Sequence, residues 1–357
     1  MTDSHVFPRP IAPASDAVRI NPPAPRAIAV WLLICCAMLF AMVVIGGVTR
    51  LTHSGLSIVE WQPIVGTIPP LDNAQWQATF QQYQQTPEFK VRNFDMSLGD
   101  FKGIFWWEYF HRLLGRLIGV VFVVPFAYFL WRGKTTGALT WKLIGILVLG
   151  ALQGGMGWYM VKSGLVDEPR VSHLRLTAHL ALAFVIFAAQ WWVALDLLFP
   201  RASRPRAPPS LARFSQAMCA LVFLMVLSGG LVAGLHAGLA YNTFPLMHGY
   251  LVPPDMLLIE PWYANFLGNM ATVQFDHRMI AWTLAILIPL LWWKTSRSEV
   301  SPRARLAAHY LLAALIIQFA LGVATLLLLV PVALGAAHQA GAVVMFSAAL
   351  TLMHELS

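Results

Sequence analysis

Four histidines form two matched pairs along this chain, each inside an apolar segment. His111 and His277 are both followed by arginine, in EYFHRLLGR and VQFDHRMIAW, and His179 and His338 lie in RLTAHLALAFVIF and LGAAHQAGAVVMF. Two imidazoles that face each other across a helical bundle are suited to the axial positions of a haem iron. For one isolated histidine, a hydrogen bond to a loop carbonyl is the simpler interpretation, but the repetition favours two haem sites.

Arginines next to the first histidine of each pair are suited to an anionic ligand. Arg112, Arg116 and Arg278 can engage haem propionates or extend to lipid headgroups, and the sequence leaves both interpretations open. Zinc competes as the metal, but a tetrahedral zinc site usually adds cysteine or carboxylate ligands at close spacing. The sequence contains no such cluster around these histidines, so it favours haem iron.

The two histidine–arginine segments differ three residues before the histidine. This position holds Glu108 before His111 but Gln274 before His277. Residues three apart share one face of a helix, so Glu108 is predicted to point toward the same site as His111. A carboxylate can accept a proton or stabilise a developing cation, and an amide cannot. The sequence therefore predicts chemistry in the amino-terminal site and electron relay in the carboxy-terminal site, with an ion pair between Glu108 and Arg112 as the structural alternative.

Further repeats indicate which elements must position these residues. GGVTRLTHSGL, which contains His53, is matched by GGLVAGLHAGL, which contains His236, and QGGMG is matched by QFALG. Together with the two histidine segments, these give four correspondences in the same order, one for each apolar run of a half. We therefore predict two similar four-helix bundles that arose by duplication. The roles of His53 and His236 stay open.

Composition identifies the elements as membrane-spanning helices. Of the 357 residues, 58% are hydrophobic and 11% are charged, and the mean hydropathy is +0.65, which is unlike a soluble domain. A bilayer-spanning helix needs about 20 mostly apolar residues. We predict an all-α integral membrane protein whose eight transmembrane helices form two pseudo-symmetric four-helix bundles. The predicted spans are 27–47, 112–131, 141–161, 174–198, 214–235, 277–294, 306–330 and 338–356.

The domain organisation follows from the spans and the polar segments beside them. Residues 1–26 are rich in proline and are predicted to be a disordered cytoplasmic tail. Residues 27–200 are predicted to form the amino-terminal half, which contains the predicted reactive site and a long outer loop at 48–106. Residues 201–213 are predicted to be a basic cytoplasmic linker, and residues 214–357 the carboxy-terminal half, which contains the predicted relay site.

Basic residues indicate the orientation in the membrane. The formal net charge is +8, but its carriers sit in short connections, as the positive-inside rule describes, and not in a patch for nucleic acid. These residues are Arg132 and Lys134; Arg201, Arg204, Arg206 and Arg213; Lys294, Arg297, Arg303 and Arg305. Both termini are therefore expected in the cytoplasm, with the haem sites near the outer, periplasmic face. In the long outer loop, Trp76, Phe80 and Tyr83 recur at helical spacing and predict a helix at the outer surface.

The chain resembles the heme A synthase family. The resemblance begins near residue 27, covers nearly the whole remaining chain, and rests on GGVTRLTHSGLSIVEWQPIVGTIPP, EYFHRLLGR, SHLRLTAHL, GGLVAGLHAGLAYNTFPLM, QFDHRM and AAHQAGA. The chain is similar to the alphaproteobacterial and mitochondrial branch, because its outer loops carry no cysteine pair. Cys35, Cys36 and Cys219 all lie within predicted spans, so a thiol-based mechanism is excluded.

The resemblance implies an activity and a set of site residues. The family oxidises the C8 methyl group of heme O by successive hydroxylations to the formyl group of heme A, which terminal oxidases use, with water favoured as the oxygen source. It also implies a haem b cofactor with His277 and His338 as axial ligands. His111 and His179 then flank the iron of the substrate haem, and Glu108 is the catalytic carboxylate.

Partners and location follow from the same resemblance. The expected partners are heme O and the lipid bilayer, with heme O synthase and a membrane electron acceptor as further candidates; a homo-oligomer is left open. The acidic residues of the tail argue against a mitochondrial transit peptide, so a bacterial cytoplasmic (inner) membrane is expected.

The residues alone are also compatible with two other functions. One is a di-haem membrane cytochrome that transfers electrons to or from quinone, and the other is a haem carrier with duplicated halves. The cytochrome gives no reason for the difference between Glu108 and Gln274. The carrier predicts polar or broken helices at mid-membrane, whereas the histidines and arginines cluster at one end of the spans.

Overall fold

The computed structural model describes residues 24–61, 65–165, 169–200 and 207–357. No strand occurs within these ranges, and eight of the helices are long and apolar enough to span a membrane, which confirms the predicted fold class. The α-helices in chain order are α1 (Ala24–Leu51), α2 (Asn73–Gln84), α3 (Pro87–Val91), α4 (Leu98–Trp131), α5 (Gly137–Lys162), α6 (His173–Leu198), α7 (Pro209–Gly234), α8 (Asn265–Gly268), α9 (Met270–Arg297), α10 (Pro302–Leu327) and α11 (Val332–Leu356).

The eight long helices form two bundles of the same plan. Helices α1, α4, α5 and α6 form the amino-terminal half, and α7, α9, α10 and α11 form the carboxy-terminal half. Across the boundary, α1 packs against α11, and α6 packs against both α7 and α11. Exchanging α1 with α7 and α6 with α11 reproduces these contacts, so the halves are related by an approximate two-fold axis. Helices α4, α5, α9 and α10 lie at the periphery.

The boundary between the halves, which we call the seam, is packed closely through glycines. A Cβ on Gly335 of α11 would lie 2.8 Å from Leu51 of α1, and a Cβ on Gly230 of α7 would lie 3.0 Å from Oγ1 of Thr177 on α6. Each distance is shorter than van der Waals contact, so only glycine allows the helices to approach this far.

Helix α4 begins well before the predicted span at 112. Ser97 accepts a hydrogen bond from the backbone N–H of Asp100, whose side chain accepts one from the backbone N–H of Ser97, which forms a capping box. The predicted outer helix is present as α2, and its buried aromatic residues pack against the additional turns of α4. This aromatic cluster includes Trp76, Phe80, Tyr83, Phe101, Phe105 and Tyr109.

Four helix starts differ from the sequence-based expectation. His111 and His277 were expected at the starts of their spans, but they lie 13 residues into α4 and 7 residues into α9. Helix α1 begins at Ala24, inside the predicted tail, and the remaining tail residues lie outside the described ranges. Helix α7 begins inside the predicted linker, because Pro209 at its first position is already suited to helical geometry.

The two ends of the bundle differ in charge. We call the end that carries loops 52–97, 163–172, 235–269 and 328–331 the histidine end, because all four histidines lie within two turns of the helix termini there or on the extended α4. The opposite end, the basic end, carries the described residues Arg132, Lys134, Arg213, Lys294, Arg297, Arg303 and Arg305.

Candidate functional site

Each predicted iron-ligating histidine lies against a glycine of the neighbouring helix in its own half. A Cβ added to that glycine would approach the imidazole more closely than ordinary van der Waals contact, so each ring occupies the space of a missing side chain. The pairs are Gly46 with Nε2 of His111 at 3.0 Å, Gly157 with Cε1 of His179 at 3.1 Å, Gly229 with Cε1 of His277 at 3.3 Å, and Gly322 with Cε1 of His338 at 2.9 Å.

A glutamine fixes the backbone at the second histidine of each half. Nε2 of Gln153 donates to the carbonyl of His179 at 3.1 Å, and Nε2 of Gln318 donates to the carbonyl of His338 at 2.8 Å. The QGGMG and QFALG repeats thus supply both the glutamine and the glycine that surround a histidine.

In each half, the two histidines of the predicted pair interact electrostatically. His111 lies within electrostatic range of His179, and His277 lies within electrostatic range of His338. Nδ1 of His179 and Nδ1 of His338 are buried without a hydrogen-bond partner among the described residues. No group of three metal-ligating side chains occurs in the described ranges, so a zinc cluster is not favoured there. Each half thus has one imidazole with a buried nitrogen that has no partner, beside a second imidazole, and such a pair fits the axial positions of haem.

Glu108 is buried, with 2% of its surface exposed, and both of its carboxylate oxygens are hydrogen-bonded. Oε2 accepts from Oγ of Ser57 at 2.7 Å and from the backbone N–H of Ile58 at 2.8 Å. Oε1 accepts from Nε of Arg112 at 3.0 Å and from Nη2 at 2.6 Å. The ion pair that the sequence offered as an alternative is therefore present, together with two further bonds that fix the carboxylate's orientation.

Arg112 and Arg278 play the same structural part in the two halves. Nη2 of Arg112 donates to the carbonyl of Ile58 at 2.7 Å, and Nη2 of Arg278 donates to the carbonyl of Tyr241 at 2.8 Å. Each guanidinium thus fastens the loop that follows the first helix of its half. Arg116 lies one turn further along α4 and is partly buried. Propionate binding by these three arginines stays a prediction.

Gln274 reverses the hydrogen-bond polarity found at Glu108. Its side chain is 3% exposed, and its Nε2 donates to the carbonyl of Tyr241 at 3.1 Å. In the amino-terminal half, Glu108 accepts hydrogen bonds from donors of the loop. In the carboxy-terminal half, Gln274 donates a hydrogen bond to a carbonyl of the loop. The loop position and the helix position are alike in the two halves, and only Glu108 is a carboxylate.

Ser228 is a site residue that the sequence reasoning missed. Its Oγ lies 2.8 Å from Nδ1 of His277, so it fixes that ring and leaves Nε2 available for a metal. The matched residue of the first repeat is Ile45, which has no polar group. The sequence difference that could have identified Ser228 is at the position directly before each Gly-Gly pair, which is apolar in the first repeat and polar in the second. Ser57 was missed as well, because its contact with Glu108 depends on the loop conformation.

His53 and His236 meet across the two halves rather than at either haem site. Both have left-handed backbones, with φ of 53° and 57°, and their rings stack with centroids 6.1 Å apart. Nη1 of Arg92 lies 2.8 Å from Nδ1 of His53. Burial, and then the charge of Arg50, lowers the pKa of His236 to about 4, so this ring is neutral at neutral pH.

A buried carboxyl lies in the cap that α2 and α3 form over the end of α4. Glu88 is 3% exposed, and its Oε2 accepts a hydrogen bond from the hydroxyl of Tyr83 at 3.3 Å. That hydroxyl accepts from Nδ2 of Asn93 at 2.7 Å. Burial is the main cause that raises the pKa of Glu88 to about 7, with a smaller contribution from the charge of Glu108.

Comparison with known proteins gives consistent matches over most of the chain. A family model, COX15-CtaA, described as cytochrome oxidase assembly protein, matches residues 29–350. A protein of Nitrosospira multiformis named heme A synthase is 62% identical over 93% of this chain and 94% of its own length. Relatives of the same name from Nitrosomonas eutropha and Paramagnetospirillum magneticum are 58% and 49% identical, over 92% and 93% of this chain and 94% of each relative.

Proposed function

The chain belongs to the COX15-CtaA family of cytochrome oxidase assembly proteins, and we propose that it is a heme A synthase, an integral membrane oxidoreductase that converts heme O to heme A. In the first step, the C8 methyl group reacts with water to give a hydroxymethyl group, two protons and two electrons. A second hydroxylation gives a geminal diol, which loses water to leave the formyl group.

We assign the substrate haem to the amino-terminal half and a haem b cofactor to the carboxy-terminal half. The observation that carries this assignment is the difference between Glu108 and Gln274 at matched, buried positions. Ser228 supports it, because a hydroxyl that orients His277 is suited to a resident haem, and the amino-terminal half has Ile45 instead.

The amino-terminal half holds the substrate and handles its protons. His111 and His179 bind the iron of heme O. Oε2 of Glu108, positioned by Ser57 and the backbone N–H of Ile58, accepts a proton released when water adds to the methyl carbon. The two hydrogen bonds from Arg112 to Oε1 prevent rotation of the carboxylate, so the same oxygen faces the reacting atoms in both hydroxylations.

The carboxy-terminal half holds the cofactor. His277 and His338 would hold its iron, and Arg278 fastens the loop that covers this end of α9. When bound, haem b supplies an acceptor for the electrons that the methyl oxidation releases. The neutral Gln274 leaves this site without a proton acceptor at the position of Glu108, which suits electron relay without chemistry on the haem.

The proposed setting is a bacterial inner membrane with both termini in the cytoplasm. Basic side chains at one end of the bundle and haem-binding residues at the other support this orientation. Heme O is then received near the periplasmic face. Heme O synthase and a membrane electron acceptor are the proposed partners, and association with further copies of the chain stays open.

Haem extraction after co-expression with heme O synthase tests the proposal directly. In a host without its own heme A synthase, the wild-type chain is expected to yield heme A and haem b. Glu108→Gln keeps the size of the side chain but removes the proton acceptor, so heme A should fall by about a hundredfold or more while haem b is retained. Glu299→Gln, at an exposed position of the basic end, is the matched control and should yield normal heme A.

Two outcomes oppose the proposal. Normal heme A from Glu108→Gln removes the catalytic assignment of this carboxylate. Only haem b in the wild-type chain, despite a supply of heme O, supports the di-haem cytochrome instead. That alternative is not favoured at present, because the relatives described above share the name heme A synthase.

A further inference from the structure

The two halves differ in how their peripheral helices pack. Helices α9 and α10 contact each other along much of their length, whereas their counterparts α4 and α5 make few contacts. Both pairs are joined by short connections at the basic end, so connection length does not explain the difference. The amino-terminal half therefore has an opening on its lipid-facing side, which we call the α4/α5 opening.

Three aromatic rings close the corresponding place in the carboxy-terminal half. Trp282 of α9 and Phe319 of α10 lie with ring centroids 5.2 Å apart at an interplanar angle of 64°. Phe244, from the loop after α7, lies 5.6 Å from Trp282 and 6.0 Å from Phe319. Edge-to-face packing of this kind holds helices together by more than the area it buries. We call this set the aromatic latch.

The repeats show what stands at the matched positions of the other half. Aligning QGGMG with QFALG places Gly154 opposite Phe319, and aligning His111 with His277 places Arg116 opposite Trp282. A Cβ on Gly154 would meet nothing within 4 Å, and the same is true of Gly119 on α4. Both glycines are exposed, so a larger side chain at either position would not meet an existing contact.

Other approaches to the amino-terminal haem site are more restricted. The seam is closed by Gly230 against Thr177 and by Gly335 against Leu51. The histidine end is covered by the loop that Arg112 fastens and by α2 packed on α4. The helices beside the opening expose apolar side chains to lipid, among them Val120 at 55% and Leu152 at 57%.

The chemistry of the two haems explains why one half is open and the other closed. A substrate must arrive and a product must leave in every cycle, whereas a cofactor remains bound. Heme O has a largely apolar tetrapyrrole with a long isoprenoid chain and carries its two anionic propionates at one edge, so it partitions into the bilayer rather than into water. A lateral passage lined by apolar side chains and glycine backbone suits such a ligand.

We propose that the α4/α5 opening is the route by which heme O enters from the bilayer and heme A leaves, and that the aromatic latch keeps the equivalent route around haem b closed. This inference rests on the assignment of substrate and cofactor to the two halves made under the proposed function. It concerns the movement of haem and not the oxidation itself, so the two can be tested separately.

Placing a latch residue in the opening tests the entry route. Gly154→Phe puts the ring of Phe319 at the matched position of α5. The test uses the purified full-length protein with haem b bound, in lipid nanodiscs, and follows uptake of added heme O by the change in Soret absorbance. Uptake should slow by about tenfold or more, equivalent to a barrier about 1.4 kcal/mol higher. Haem b content should be unchanged.

The matched control is Gly145→Phe on the same helix. Gly145 also has nothing within 4 Å of a Cβ, but it precedes Gly154 by nine residues, about two and a half turns, and so lies on the opposite face of α5. Normal uptake in Gly145→Phe with slow uptake in Gly154→Phe supports the route. Equal rates in the two variants, whether both normal or both slow, overturn it.

Opening the latch provides a second test that does not depend on the first variant folding. Phe319→Ala removes the ring that links α10 to Trp282 and Phe244. With apomyoglobin as a haem scavenger, release of haem b should accelerate by about tenfold or more relative to wild type. Unchanged release contradicts the assignment of the latch. Failure to form heme A in a chain that still takes up heme O opposes the proposed function but leaves the route intact.

Discussion

The two halves of this molecule share one frame and differ at a few positions. Both place a histidine of the second helix against a glycine of the first, and a histidine of the fourth helix against a glycine of the third. Both fasten the following loop with an arginine. They differ where Glu108 replaces Gln274, where Ile45 replaces Ser228, and where an opening replaces the aromatic latch.

Under the proposed function, these differences concern how each half treats its haem. The shared positions create room for an imidazole pair, which either half would need in order to hold iron. The unshared positions determine whether a carboxylate is present, whether a histidine ring is fixed, and how closely the peripheral helices pack. We infer that duplication supplied this frame twice and that a small number of substitutions separated the proposed reactive site from the proposed relay.

The largest loss of haem binding is expected when a histidine ligand is removed from only one half. His277→Ala should abolish haem b binding, whereas His111→Ala should abolish heme O binding and retain haem b, since each histidine serves its own site. The haem b content of each purified variant, measured as the pyridine haemochrome, decides between them. Loss of haem b from His111→Ala contradicts the division of labour between the halves.

A smaller loss of haem b affinity is expected when a methyl group is placed against the ring of a histidine ligand. A Cβ at Gly322 would lie 2.9 Å from Cε1 of His338, so Gly322→Ala must displace that ring or its helix. Overpacking of this kind typically costs about 1–3 kcal/mol, and haem b affinity should weaken accordingly. Gly145→Ala, with open space at its Cβ, is the control. Equal titration of haem into the two apoproteins argues against the glycine–histidine frame.

Removal of the hydroxyl beside His277 should have a more modest effect. Ser228→Ala leaves the ring in place but without its hydrogen bond at Nδ1, and loss of such an orienting contact typically weakens metal binding by about tenfold or more. Ser215→Ala is the control on the same helix, because within the described ranges the hydroxyl of Ser215 bonds to the carbonyl of Ala212 and not to a histidine. The rate of haem b release is the measurement, and identical rates remove the distinction between Ser228 and Ile45.

The smallest effect on haem binding is expected from Glu88, whose influence is on the cap of α2 and α3. Burial raises the pKa of Glu88 to about 7, above its ordinary value of 4.5. The folded cap therefore binds a proton that the unfolded chain has lost between these values, and its stability falls as pH rises through about 7. Tyr83, Arg92 and Glu108 are the charged or titratable groups around it.

Amide hydrogen exchange measures this pH dependence by segment. Protection in α2 and α3 should decrease between pH 5 and pH 8 by an amount equivalent to roughly 1–3 kcal/mol, while the loop 235–269 of the other half should show no matching change. Glu88→Gln should remove the dependence. A cap whose protection in wild type is constant over this range contradicts a buried carboxyl that titrates near neutrality.

Most of the fold could be predicted from the sequence, because a bilayer imposes a length on each apolar run. All eight spans were located, but the extent of α4 was not, because its first turns carry polar caps and aromatic residues that pack on α2 rather than on lipid. Hydropathy identifies residues that are suited to contact with lipid, so it does not detect helical turns that pack on another helix. For the same reason, His111 was expected at a helix start and lies within the helix.

The site was predictable to the extent that it is repeated. Comparison of the repeats identified the four histidines and Glu108, but it did not reveal that Arg112 bonds to the carbonyls of Ile58 and Glu60. Those acceptors are backbone atoms, which every residue has, so their position depends only on the loop conformation. Ser228 was accessible in principle, since it directly precedes a repeated Gly-Gly pair, but a hydroxyl in an apolar run has many simpler explanations.

The close contact between α1 and α11 has a consequence for the order of synthesis. Nε2 of Gln339 on α11 donates to the carbonyl of Val43 on α1 at 3.0 Å, across a sequence separation of 296 residues. A chain that emerges from its amino terminus therefore inserts α1 long before its neighbour exists. The contacts that α1 makes with α11 can therefore form only after nearly the whole chain has been translated, so the packing around the first helix is completed at the end of synthesis.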